Sequence, residues 1–233
     1  MKHMAILLVT ALTLTSCEDF NSPAVSSEAA TSVDDPTSAS VTASGDERCV
    51  GTRTGTFENV YVPVGQTCTL QNAIVNGNVK ALPNSRLFMT NNRVKGNIDG
   101  DEAVLVHVRG GTVGGSIQIK EANSPSVIGA SVTGGTVLTQ GNIQVEKMNT
   151  GGIVITDVIL QKGSIKVEEN RTRSRFEVVR NRVAQNVQVF KNLGTNAKFV
   201  RTNTIGQIVQ CKENQAPFTG GPNTAGARQD QCF

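Results

Sequence analysis

Gly77-Asn78-Val79-Lys80, Gly96-Asn97-Ile98-Asp99 and Gly115-Ser116-Ile117-Gln118 are three copies of one short phrase, and the phrase returns with drift along most of the chain. Its second position falls at Asn59, Asn78, Asn97, Ser116, Asn142, Ser164, Asn186 and Gln207. A β-branched residue follows each time, as Val60, Val79, Ile98, Ile117, Ile143, Ile165, Val187 and Ile208. The intervals are 19, 19, 19, 26, 22, 22 and 21 residues. A period of about 20 that closes on a β-branched residue marks a repeat architecture, in which one coil cannot bury its apolar face until neighbours stack on it.

Further short apolar runs lie between these positions, such as Leu87 and Met89 then Val94, or Ile153 and Ile155 then Val158 and Leu160. The same residue class returns at the same phase three times per interval, which describes a coil and not a hairpin meander. Composition agrees: there is no Trp, one Tyr and 23 Gly, and the apolar content is carried by Val and Ile, a mix that favours strands and tight turns over helices. The expected fold is therefore all-β, a right-handed parallel β-helix over residues 48–210 with about eight coils and three short strands per coil. At ~4.8 Å per coil the rod would be roughly 35 Å long. The stretch from Asn59 to Cys211 resembles the pectin-lyase-like right-handed β-helix proteins in architecture, and no catalytic motif accompanies the resemblance. The Asn/Ser position is expected at a sharp turn in left-handed backbone, with its side chains hydrogen-bonded from coil to coil. Alternation turns Ile117, Ile119, Ile143, Val145, Ile165 and Val167 inward. It turns Tyr61, Lys80, Asp99, Gln118, Gln144, Lys166, Gln188 and Val209 outward.

The start of the chain differs in character. Lys2 and His3 precede an apolar run from Met4 to Leu14, too short to span a bilayer and shaped like an export signal. The run ends Leu14-Thr15-Ser16-Cys17, which resembles a bacterial lipobox. That resemblance implies removal of residues 1–16 and acylation of Cys17, and several acyl chains make a stable membrane anchor. Residues 17–47 are rich in Ser, Thr, Ala, Asp and Glu without apolar period, and read as a disordered acidic tether. Seven acids and no base lie between Glu18 and Glu47, whereas 21 bases face 12 acids from Arg48 onward. With five cysteines, Cys17 is the spare. Cys49 and Cys68 at the start of the repeats and Cys211 and Cys232 at their end allow three connectivities, of which local pairing within each set is the simplest. Residues 211–233, with Pro217, Gly220, Gly221, Pro222 and Gly226, read as an irregular loop tied back by a disulfide as a cap.

Signals for chemistry are sparse. His107 is the single histidine after the leader; it lies opposite Val106 and Val108 and is expected in solvent, with no Ser or Cys nucleophile in a recognisable phrase. Asp99, Asp101 and Glu102 form the densest carboxylate group, an incomplete candidate set for Ca²⁺, which takes six or more oxygens. No metal site of the Cys-x-x-Cys kind and no cofactor motif occurs. Phe57 and Tyr61 are the main aromatics on offer as sugar-stacking platforms. Between Arg171 and Lys212 there are nine bases, with Glu177 as the one acid. Arg171, Arg173, Arg175, Arg180 and Arg182 are expected to gather on one flank and to attract anionic polymers. The preferred reading is a non-enzymatic lipoprotein of the cell envelope or cell surface, a rigid rod with a structural or adhesive role. Its expected partners are the membrane, through the lipid, and anionic polysaccharide; nucleic acid is not favoured. The alternative is a polysaccharide lyase or glycosidase of the same fold, built on Asp99, Asp101 and a nearby Arg or Lys.

Overall fold

The computed structural model describes residues 43–123, 130–133 and 138–233. The chain divides by contact into Met1–Ser38 and Ala39–Phe233, and every described residue belongs to the second unit. The leader, Cys17 and the tether as far as residue 42 lie outside the described residues.

The described residues are all-β, and each strand pairs in parallel with its counterparts about one coil away. The result is a parallel β-solenoid of about eight turns, consistent with the right-handed parallel β-helix that the repeat implies. One face, the ladder face, stacks the strands Val79–Ala81, Ile98–Asp101, Ile117–Lys120, Ile143–Glu146, Ile165–Glu168, Val187–Phe190 and Ile208–Lys212. A second face carries Ile153–Thr156, Phe176–Val179 and Lys198–Arg201, and a third carries Ile159–Leu160, Arg182–Val183 and Thr204–Ile205. In two successive coils the second and third faces are one continuous nine-residue strand, Arg86–Val94 and Leu105–Val113. Three separate strands are present in the coil before these, as Thr67–Gln71, Ile74–Val75 and Val79–Ala81, and again from the middle of the solenoid onward.

The phrase Gly-Asn-Ile acquires a physical reading. The isoleucine fills the interior: Ile98, Ile117, Ile143 and Ile165 are fully buried in one column. The glycine permits close approach, because a Cβ on Gly96 would lie 2.4 Å from Asn78 Oδ1, and one on Gly163 1.9 Å from the Gly141 carbonyl oxygen. The asparagine spans the gap to the next coil. Asn59, Asn78 and Asn97 each accept, at Oδ1, the backbone N–H of the equivalent residue one coil on, at 2.8 Å. Ser116, Asn142 and Ser164 continue the series at 3.1, 2.9 and 3.2 Å. Left-handed backbone does not occur at this position, contrary to the sequence expectation. It falls instead just after the ladder strand, at Glu102, Glu121, Lys147, Glu169, Lys191 and Glu213, and just after the second strand, at Asp157, Arg180 and Thr202.

Those corners are held from inside. Asn170, Asn192 and Asn214 follow Glu169, Lys191 and Glu213 of the first set, Asn181 and Asn203 follow Arg180 and Thr202 of the second, and Asn223 extends the latter, as two buried columns. Asn192 Nδ2 donates to Val167 O at 3.0 Å and to Asn214 Oδ1 at 2.8 Å, and Asn203 Nδ2 to Val178 O at 2.8 Å and Asn223 Oδ1 at 2.9 Å. Each amide thus satisfies carbonyls that the turn would otherwise bury without partners.

The last coil corrects the alternation. Val187 is in register with Val209, and Gln188 with Gln210. Asn186 therefore accepts from the N–H of Ile208, not Gln207. Val209 is fully buried and Ile208 is exposed, the reverse of the sequence assignment, and the final interval is one residue longer than the pattern of the phrase indicates.

Both ends extend further than expected. The solenoid begins with the strand Ala43–Arg48, which pairs with Thr56–Val62 and puts Asp46 against Asn59, whose Nδ2 donates to it at 2.9 Å. The C-terminal segment carries two strands rather than an irregular loop: Phe218–Thr219 adds to the second face and Ala227–Asp230 to the ladder face. Its side chains finish the buried columns, with Gln231 Oε1 accepting from Asn214 and Asn223 donating to Gly220 O. Cys49 pairs with Cys68 and Cys211 with Cys232, with Cα–Cα distances of 5.5 and 5.2 Å, the local connectivity. Disulfides of this kind persist in oxidising compartments, so the body is that of an extracytoplasmic protein.

Candidate anion-binding surface

Stacking redistributes the charge that the chain order suggested. Arg175, just before the strand Phe176–Val179, donates to Glu177 within it at 2.7 Å. Arg180 forms a bidentate pair with Asp157, at 2.7 and 2.6 Å. Asp157 precedes it by one coil, and the guanidinium holds that carboxyl below the usual carboxylate value. Lys191 lies 3.9 Å from Glu169, again one coil back. The nine-to-one excess along the sequence therefore overstates the field, because half-exposed acids from the preceding coil sit against these bases.

Lys198 leaves the surface altogether. It is fully buried, in register between Phe176 and Phe218, and its Nζ donates to the carbonyls of Gly194, Asn196 and Gln215 at 2.6, 3.1 and 3.1 Å. Burial lowers its pKa from the usual lysine value. Nothing in the sequence marked it, since a lysine next to Phe199 in a strand alternates as readily outward as inward.

Arg171 and Arg173 remain exposed on either side of buried Thr172, and among the described residues neither makes an ion pair. They flank a depression of about 410 Å³ completed by Leu193, Gly194, Thr195 and Gln215. Gly194 and Gln215, whose carbonyls accept from Lys198 Nζ, form part of its lining. Two exposed guanidiniums thus flank a depression two of whose lining residues also hold the buried Lys198 amine, and among the described residues this positive charge has no ion-pair partner. Arg182 is elsewhere, on the third face in register with Ile159 and Thr204. The five arginines accordingly form no single flank: Arg171 and Arg173 mark one corner and Arg182 the third face.

The carboxylate group of Asp99, Asp101 and Glu102 resolves into alternating charge. Asp99 and Asp101 both point outward, while Gly100 between them is buried against Val106, which a Cβ there would approach to 2.4 Å. Together with Lys80, Gln118 and Lys120 they line a shallow depression of about 250 Å³. Partial burial raises the pKa of Asp99 against the pull of Lys80 and Lys120. Glu102 sits in left-handed backbone at the following corner. Among the described residues no three Asp, Glu, His or Cys side chains are grouped to hold a metal ion.

His107 points outward but is half-buried, its ring 6.2 Å from that of Phe88 one coil back. The aromatic inventory also shifts: Phe57 is buried, whereas Phe199 lies partly exposed beneath Arg201, whose guanidinium is 5.0 Å from its centroid.

These features define a class, an extracytoplasmic parallel β-solenoid with cationic corners. Comparison with family models, with characterised proteins and with solved structures finds no match to the chain.

Proposed function

We propose that the protein is a non-enzymatic lipoprotein of the cell envelope, a rigid solenoid of the pectin-lyase-like kind, anchored by an acylated Cys17 and binding anionic envelope polymers. The observation that carries the binding role is the depression between Arg171 and Arg173, two guanidiniums without an ion pair among the described residues, whose lining Gly194 and Gln215 also hold buried Lys198. Anion affinity there would be electrostatic and salt-sensitive. The lipobox-like Leu14-Thr15-Ser16-Cys17 supports the anchor, and the two disulfides support export.

Titrating the full chain with polygalacturonate at low and high salt tests the binding role. Arg171→Gln with Arg173→Gln should weaken binding at low salt and flatten its salt dependence without moving the thermal midpoint. Binding indifferent to ionic strength and to this pair would overturn it. For the anchor, Cys17→Ser should release the protein from the membrane fraction of cells expressing it; unchanged membrane attachment would refute acylation.

A second reading rests on Asp99, whose raised pKa and lysine neighbours suit acid–base chemistry on a glycan. Asp99 and Asp101 are two residues apart on one strand, which separates their Cα atoms by about 7 Å. An activity on polygalacturonate abolished by Asp99→Asn would establish that reading, and its absence from the unaltered protein would remove it.

A further inference from the structure

Along the third face, two depressions of about 600 and 440 Å³ run into one another, sharing Gln161. The channel has a backbone cause. Where the third strand turns toward the ladder face, successive coils approach so closely that a Cβ on Gly114 would lie 2.1 Å from Lys95 O, and one on Gly206 2.1 Å from Ala184 O. Side chains are therefore excluded at Gly114 and at Gly206, while the same column carries Lys95, Gln140, Gln161 and Ala184 in the other coils, and a trough is left between the outward side chains of the third face and the ladder face.

The described lining is chemically one-sided. Arg93 and Lys95 stand at one end and Arg182 at the other; Gln140 and Gln161, hydrogen-bonded to one another, lie between them, with Thr112 and Thr204 alongside. No acid contributes to it, and none of the three cations makes an ion pair among the described residues. The register Arg93, Thr112, Leu138, Ile159, Arg182 counts four coil steps. At ~4.8 Å each, the cationic ends are about 19 Å apart along the solenoid axis.

We propose that this trough is a binding site for a linear acidic polysaccharide lying along the axis, its carboxylates or sulfates at Arg93, Lys95 and Arg182 and its hydroxyls on Gln140 and Gln161. The inference deepens the polymer-binding reading above and rests on it. Cations at both ends demand negative charge at intervals of the ligand. Amides between them, each a donor and an acceptor, demand a ligand with hydroxyls, which distinguishes a glycan from a bare polyphosphate. The partly exposed side chain of Ile159 and the glycines Gly114 and Gly206 admit the apolar face of a sugar ring. A single-stranded nucleic acid would need aromatic stacking platforms, and the described lining contains none.

The test uses the full chain and three probes: polygalacturonate, neutral dextran and polyphosphate. Arg93→Gln with Lys95→Gln, and separately Arg182→Gln, should each weaken polygalacturonate binding roughly tenfold, the scale of one lost charge-assisted contact. Gln140→Ala with Gln161→Ala should weaken polygalacturonate binding and leave polyphosphate binding unchanged, and dextran should not bind. These side chains are on the outside, so the thermal midpoint should stay in place. If the trough variants bind polygalacturonate normally while the Arg171 and Arg173 variants do not, the trough is refuted and the corner site stands. Equal losses for polygalacturonate and polyphosphate in the glutamine variant would refute the glycan assignment. Absence of all polyanion binding would overturn both sites together.

Discussion

The residues that do most to hold this solenoid are amides, and their burial decides what each is worth. Asn203 accepts from Asn181 N and Nδ2 at 2.9 and 3.0 Å and donates to Val178 O and Asn223 Oδ1, all away from water. Asn203→Ala leaves several buried groups without partners and should cost about 3 kcal/mol in chemical denaturation. Asn97 makes a comparable bond to Ser116 N, but in solvent, where water can replace it. Asn97→Ala should therefore cost under about 1.5 kcal/mol. At His107, burial and then Arg109 lower the pKa from its usual 6.5. As pH falls through that value the unfolded chain takes up this proton before the folded one, so stability declines with falling pH. Urea midpoints between about pH 8 and about pH 5 should show this slope, and His107→Gln should flatten it. Asp99, with its raised pKa, contributes the opposite slope at lower pH, since there the folded chain protonates first.

At the scale of one strand, everything depends on which face a residue takes. A one-residue shift moves every side chain of a strand to the other face. In Ile208–Lys212 the shift relative to the Gly-Gln-Ile phrase puts Val209 and Cys211 inside, and places Cys211 to meet Cys232. Val209→Asp buries an unpaired charge and should lower the melting temperature as severely as Ile143→Asp or Ile165→Asp. Ile208→Asp should cost under about 1 kcal/mol, like Gln144→Asp. Equal losses at Val209 and Ile208 would contradict the register. The inward columns from Val79 to Val187 were legible because the phrase repeats there almost unchanged. The final coil was not, because Gln207-Ile208-Val209 contains two β-branched residues in sequence and only pairing with Val187–Phe190 chooses between them.

For the solenoid as a whole, the ends are the exposed liability: a terminal coil presents unpaired strand edges and open core. The C-terminal segment answers this by imitating one more coil, with Gln231 and Asn223 ending the amide columns and Cys232 covalently fixed to Cys211. Replacing both Cys211 and Cys232 by Ser should remove about 3 kcal/mol on the chain-entropy account. Hydrogen exchange should then open the amides of Phe218–Thr219 and Ala227–Asp230 before those of the central coils. Uniform loss of protection along the body would show that the cap has no separate role.

By itself the sequence determined the coil, its number of turns and the inward columns up to Val187, because a period of about 20 residues closing on Val or Ile can be buried only by stacking. The cysteine pairing it left among three connectivities, of which the structure has the local one. The corner chemistry was beyond it: left-handed backbone went to Glu169, Lys191 and Arg180, each beside a buried asparagine whose bonds reach the coils on either side. The candidate site was legible only in part. Arg171 and Arg173 were among the residues singled out, whereas Arg175 and Arg180 proved neutralised, Lys198 buried, and the trough of Arg93, Lys95 and Arg182 unforeseen. Only the tertiary structure could decide this, since the charges that meet along the axis, such as Asp157 and Arg180, are a full coil apart in the chain yet only one strand spacing apart in space.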